Sequence, residues 1–165
     1  MSVILPVAQR GAGVLSLVAE AVAAEEFGSV WLKALAHSMQ TTMLARQGVG
    51  IAAPQVYVSK RMIIVASRPN PRYPDAPEMP AVVMVNPEII QQSNEELLGE
   101  EGCLSVANER GQVARAASVT VRYFDLDGQL FEAQYQGFPA RIVQHEIDHL
   151  NGILFTQRLR SPEIN

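Results

Sequence analysis

Residues 139–152 read Pro-Ala-Arg-Ile-Val-Gln-His-Glu-Ile-Asp-His-Leu-Asn-Gly. Pro139 is expected to open a helix, and Gly152 stands where a helix C-cap belongs. Between them Ile142, Val143, Ile147 and Leu150 nearly surround the segment with apolar side chains, so the spacing predicts a buried helix to about Asn151. His145 and His149 lie one turn apart on one face, where two imidazoles reach one ion, and Glu146 projects beside them. A chain of this composition would hold such a His-Glu-x-x-His window by chance roughly 0.004 times. Two histidines on a solvated helix face would be the plain alternative, but the apolar surround argues against it. Buried imidazoles and a buried carboxylate need partners, and a metal supplies one.

Two ligands leave a catalytic site one short. An HExxH endopeptidase would take its third ligand downstream, yet after His149 the only acidic side chain is Glu163. The better candidate is upstream: Cys103, in Glu101-Gly102-Cys103-Leu104-Ser105. A lone cysteine is ordinarily a small buried hydrophobe. A histidine pair in need of a third ligand reverses that preference. As the sole cysteine, it also excludes an internal disulfide framework and suits a reducing compartment.

The 165 residues are 48% hydrophobic and 18% charged, which fits one globular domain over 1–165. A net charge of −4, from 13 Lys+Arg against 17 Asp+Glu, argues against a nucleic-acid partner. No apolar run is long enough to span a membrane. The uncharged stretch Gly11 to Ala19 is too short for a signal-peptide core, with only Arg10 before it.

A helix is expected over 25–46, with Phe27, Trp31, Leu35, Met39 and Met43 as its apolar stripe and His37 off it. The segment Gly48 to Gln55 is too small and proline-bound for a helix. Residues 61–66 read as a buried strand, the five-proline segment 67–80 as a loop, and 81–85 and 88–98 as further strands. The clearest hairpin joins 118–124 to 130–136 through Asp125-Leu126-Asp127-Gly128. Strands first and a buried helix last predict an α+β fold, mostly antiparallel strands around the C-terminal HExxH helix with a long N-terminal helix.

Three segments together resemble peptide deformylase. GxGxAAxQ matches Gly48, Gly50, Ala52, Ala53 and Gln55; EGCLS matches Glu101 to Ser105; QHExDHLxG matches Gln144, His145, Glu146, Asp148, His149, Leu150 and Gly152. The resemblance runs from about residue 40 to 159 and is specific because three motifs occur in order. It departs from the family at Leu15-Ser16, where bacterial relatives carry Leu-Arg, and at Ala107, where many carry Pro.

The resemblance implies removal of the formyl group from N-formylmethionyl ends of nascent peptides, with release of formate. Cys103, His145 and His149 would hold one divalent metal. Glu146 would take a proton from a water the metal acidifies and pass it to the departing amine. Gln55, on what reads as a surface loop, and the Leu104 N–H would stabilise charge on the formyl oxygen. The backbone around Val49 and Gly50, and of Gly102, would pair with an extended peptide. Val49, Phe138, Ile142 and the methylenes of Glu101 are candidate walls for the methionine pocket. Arg110 and Arg115 would lie near the site, either paired with Glu101 or Asp148 or solvated.

One thiolate and two imidazoles suit Zn²⁺, Fe²⁺, Co²⁺ or Ni²⁺. The family implies Fe²⁺ as the native ion, with Zn²⁺ or Ni²⁺ as substitutes, and a cytoplasmic or organelle-matrix location. Only Arg158 and Arg160 are basic near the end, which argues against ribosome docking through a C-terminal helix. A non-catalytic, metal-stabilised peptide-binding descendant is the alternative. It would be expected to lose Glu146 or Gln55 first, and both are present.

Overall fold

The computed structural model describes residues 3–160; Glu163 lies outside them. The elements are α1 (Val30–Ala45), β1 (Gly50–Ala52), β2 (Met62–Ser67), β3 (Met79–Gln92), β4 (Glu96–Cys103), β5 (Val106–Ala116), β6 (Ser118–Phe124), β7 (Leu130–Gln136) and α2 (Gly137–Leu150). β1-β2-β3-β6-β7 form one antiparallel sheet, and β4-β5 form a separate hairpin.

Strand β2 explains the layering. Side chains alternate across a sheet, and β2 buries both sets. Ile63 and Val65 pack with Ile142, Val143, Ile147 and Leu150 of α2. Met62 and Ile64 pack with Leu32, Ala36, Met39 and Met43 of α1. A strand covered on both faces reads as a continuous apolar run, which is why its sequence was legible. A third cluster, including Leu15, Cys103, Val113 and Phe155, fills the space under the β4-β5 hairpin.

Three boundaries differ from the sequence expectation. α1 begins at Val30, not 25: Gly28 turns the chain at φ +75°, and the Ser29 hydroxyl caps the helix by accepting from Leu32 N–H. The stripe is also displaced. Trp31 is 41% exposed, and the buried face runs through Leu32, Ala36, Met39 and Met43. Side chains four apart advance about 40° past a full turn, so a strict every-fourth stripe spirals off its face. His37 is exposed, as expected.

The second difference is at Asn86 (φ +50°), where a bulge replaces the expected break and β3 continues to Gln92. The third is the β4-β5 hairpin, of which only the start was anticipated. Hairpin β6-β7 lies where the sequence placed it; helix α2 starts two residues before Pro139, at Gly137, and Gly152 follows it at φ +75°. Segment 48–55 is strand β1 followed by a short 3-10 turn, Ala53–Val56.

Candidate metal centre and active site

α2 brings His145 and His149 to one face, and β4 ends at Cys103 directly opposite. One ligand atom from each lies within 4.8 Å of the others, and Cys103 Sγ is 3.3 Å from His149 Nε2. That spacing, a thiol with two imidazoles, and their burial fit one four-coordinate divalent ion with a position left over. Burial alone would push the Cys103 thiol up, but His149 and His145 beside it hold it well below its ordinary value. A thiolate, the ligating form, is therefore favoured.

Glu146 is 4% exposed, and its Oε1 has no hydrogen-bond partner. Burial raises its pKa despite the nearby histidines. Its other oxygen sits over Gly50, where a Cβ would come within 2.6 Å of Oε2. The second glycine of Gly48-Val49-Gly50 thus leaves room for both the carboxylate and Ile142 Cγ2.

Gln55 is not on a surface loop but 1% exposed. The 3-10 turn carries it inward. Its Oε1 accepts from Ala52 N–H (2.9 Å), and its Nε2 donates to Ser105 Oγ (3.0 Å) and points at Cys103 Sγ (3.6 Å). Leu104 is half-buried in the two-residue turn after Cys103.

Every predicted site residue except His149 lines one cavity, together with Arg72, Tyr73 and Arg141, which sequence reasoning did not single out. His149, 1% exposed, lies beyond it against Cys103. Glu101 lines the cavity too, but its carboxylate is turned into ion pairs. Oε1 accepts from His145 Nδ1 (2.9 Å) and Arg115 Nη2 (2.9 Å); Oε2 accepts from Arg115 Nε (2.9 Å) and Arg141 Nη1 (2.7 Å). Arg115 also donates to Asp148 (2.6 Å), which Arg158 pairs from outside. Arg115 thus pairs with both expected partners. Arg110 pairs with Glu100 instead and lies 4.7 Å over the Tyr73 ring.

Tyr73 carries the proline-rich segment onto the cavity. Its ring packs on Phe138 at 5.0 Å between centroids. Its hydroxyl accepts from Gly102 N–H (3.0 Å) and donates to Gly102 C=O (3.4 Å). The bulge between Glu101 and Cys103 frees those backbone groups from the hairpin ladder.

A family model for polypeptide deformylase matches residues 4–165. The chain belongs to the polypeptide deformylase family. Peptide deformylase 2 of Shewanella oneidensis is 45% identical over 96% of this chain and 86% of its own length. Peptide deformylase 2 of a Nostoc species is 46% identical over 96% and 87%. A class I type b peptide deformylase from Acinetobacter baumannii, solved with Met-Ala-Ser bound, superposes with a TM-score of 0.94. It is 68% identical, over 96% of this chain and 100% of that one. The chain is therefore a deformylase, a metal-dependent hydrolase, and the endopeptidase and binding-domain alternatives are not favoured. No helix among the described residues is long and apolar enough to cross a membrane.

The Glu101 cluster makes stability depend on acid. Burial would raise the Glu101 pKa, but His145 and Arg115 hold it well below the usual carboxylate range. The unfolded group protonates near its ordinary 4.5, so below that pH the unfolded state binds the extra proton. In metal-free protein, this contribution is expected in full above about pH 5 and to fall away as the pH drops below 4.5. Urea midpoints from pH 7 to 3 should show Glu101→Gln less stable at neutrality, with the gap to the parent closing in acid. A gap independent of pH would contradict the assignment.

Proposed function

We propose that Cys103, His145 and His149 hold one divalent ion, Fe²⁺ in the cell, and that the chain deformylates N-formylmethionyl ends of nascent peptides in the cytoplasm or an organelle matrix. The observation that carries this reading is the unpartnered, buried Glu146 carboxylate beside a thiol and two imidazoles. When bound, the ion supplies Lewis acidity, acidifying a water and polarising the formyl oxygen.

The chain's own residues supply the rest. Glu146 accepts the water's proton at Oε1 and returns it to the departing methionyl amine. The Gln55 amide and the Leu104 N–H face the charge that grows on the formyl oxygen. Val49, Phe138 and Ile142 wall the methionine side chain, and the backbone of Val49, Gly50 and Gly102 pairs with the extended peptide. An oxygen-sensitive ferrous thiolate suits a reducing compartment. Anaerobic reconstitution tests the ion: Fe²⁺-loaded protein should turn over and lose activity in air, whereas Ni²⁺-loaded protein should persist. Air-stable Fe²⁺ protein would count against this assignment.

Pairing at Gly102 requires the Tyr73 hydroxyl to leave. Tyr73→Phe keeps the ring against Phe138 and removes both bonds to Gly102. Its KM for a formyl-Met tripeptide is expected to fall about threefold to tenfold with kcat unchanged. A raised KM would mean that the hydroxyl binds the peptide rather than competing with it.

A further inference from the structure

Arg141 is a buried cation in an otherwise apolar stretch of α2, one turn before His145. Its Nη1 donates to Glu101 Oε2 (2.7 Å) and Val113 C=O (2.8 Å), and its Nη2 donates to Leu97 C=O (2.8 Å). One guanidinium therefore ties α2 to both strands of the β4-β5 hairpin. The hairpin is shaped to admit it: a Cβ at Gly99 would lie 2.8 Å from the guanidinium carbon.

The consequence falls on His145. Arg115 holds both Glu101 oxygens, Nε on Oε2 and Nη2 on Oε1, but it does so from strand β5 alone. Arg141 adds a second cation at Oε2 from α2, the helix that carries His145, so the carboxylate that meets His145 Nδ1 through Oε1 is braced from both elements. An acceptor at Nδ1 keeps the proton there and leaves Nε2 with its lone pair free to ligate. We propose that Arg141 is a positioning residue for the metal centre, acting through Glu101 on the ring orientation and tautomer of His145. This rests on the reading of Cys103, His145 and His149 as ligands.

The test compares Arg141→Met, Arg141→Lys and Arg141→Ala by the rate at which a chelator strips Ni²⁺, by the absorption spectrum of Co²⁺-loaded protein, and by the Tm of metal-free protein. Arg141→Met is expected to release Ni²⁺ about 10- to 100-fold faster and to shift the Co²⁺ bands. Arg141→Lys, which keeps the charge but loses the planar fork, should fall between Arg141→Met and the parent. In Arg141→Ala, guanidinium ion at a non-denaturing concentration should restore slow release, and methylurea, similar in shape but uncharged, should not.

Parent-like release and spectra in Arg141→Met, or equal rescue by both small molecules, would reduce Arg141 to a brace for the hairpin and overturn the proposal. If Arg141→Met does not fold, the Lys variant and the guanidinium rescue decide. Failure of the parent to bind one Ni²⁺ per chain would overturn the ligand reading and the proposal with it. That outcome is visible before any variant is made.

Discussion

Glu146→Gln is expected to retain one metal ion per chain and to lose about 10²- to 10⁴-fold in kcat. The substitution keeps the shape of the side chain over Gly50 and removes only the capacity to take a proton. Oε1 has no protein partner to lose, so stability and metal content should stay near those of the parent. The raised pKa from burial brings this carboxylate closer to neutrality than a solvated glutamate, which suits a group that accepts and returns a proton in one cycle. Metal analysis beside kcat separates the outcomes. An unchanged kcat would remove Glu146 from the proton-transfer role. Loss of the ion would make it a structural support instead.

Cys103→Ala is expected to empty the site. The chain has no second thiol, and two imidazoles alone leave a divalent ion weakly held. Dialysed Cys103→Ala should carry almost no metal, and turnover should fall to background. Its Tm should no longer respond to added ion. An ion that binds only the folded chain adds about 4 kcal/mol at a thousandfold excess over Kd, and that increment should vanish. Retained metal at full occupancy would refute Cys103 as a ligand.

The residues legible in the sequence were those whose chemistry has a local pattern. His145, Glu146 and His149 sit at helical spacing within one turn of α2. Strand β2 and hairpin β6-β7 carry an unbroken apolar run and a regular alternation with turn residues. Cys103 followed from the shortage of ligands together with the EGCLS match, not from its own surroundings. The β4-β5 hairpin was only partly visible because Glu-Leu-Leu-Gly-Glu-Glu-Gly-Cys has two glycines and no alternation. It is also clamped at long range: Gln144 pairs with both backbone groups of Ala116, and Arg141 with Leu97 and Val113.

Gln55 looked like a loop residue because a 3-10 turn has no apolar periodicity to announce burial. Arg141 carries a signal in the sequence itself. A charged side chain in a helix expected to be buried must have a partner, and Glu101 is an acidic residue of the same expected site. Tyr73 had none, since a tyrosine among prolines reads as loop until the fold brings Gly102 beneath it.

This cavity, with its thiol, two imidazoles and free carboxylate, is expected to release formate. The direct measurement is formate produced from a formyl-Met tripeptide by protein loaded anaerobically with one Fe²⁺ or Ni²⁺ per chain, with chelated protein alongside. One formate per deformylated peptide is expected, with rapid turnover in the loaded protein and none after chelation. Absence of formate from protein that holds one ion per chain would contradict it.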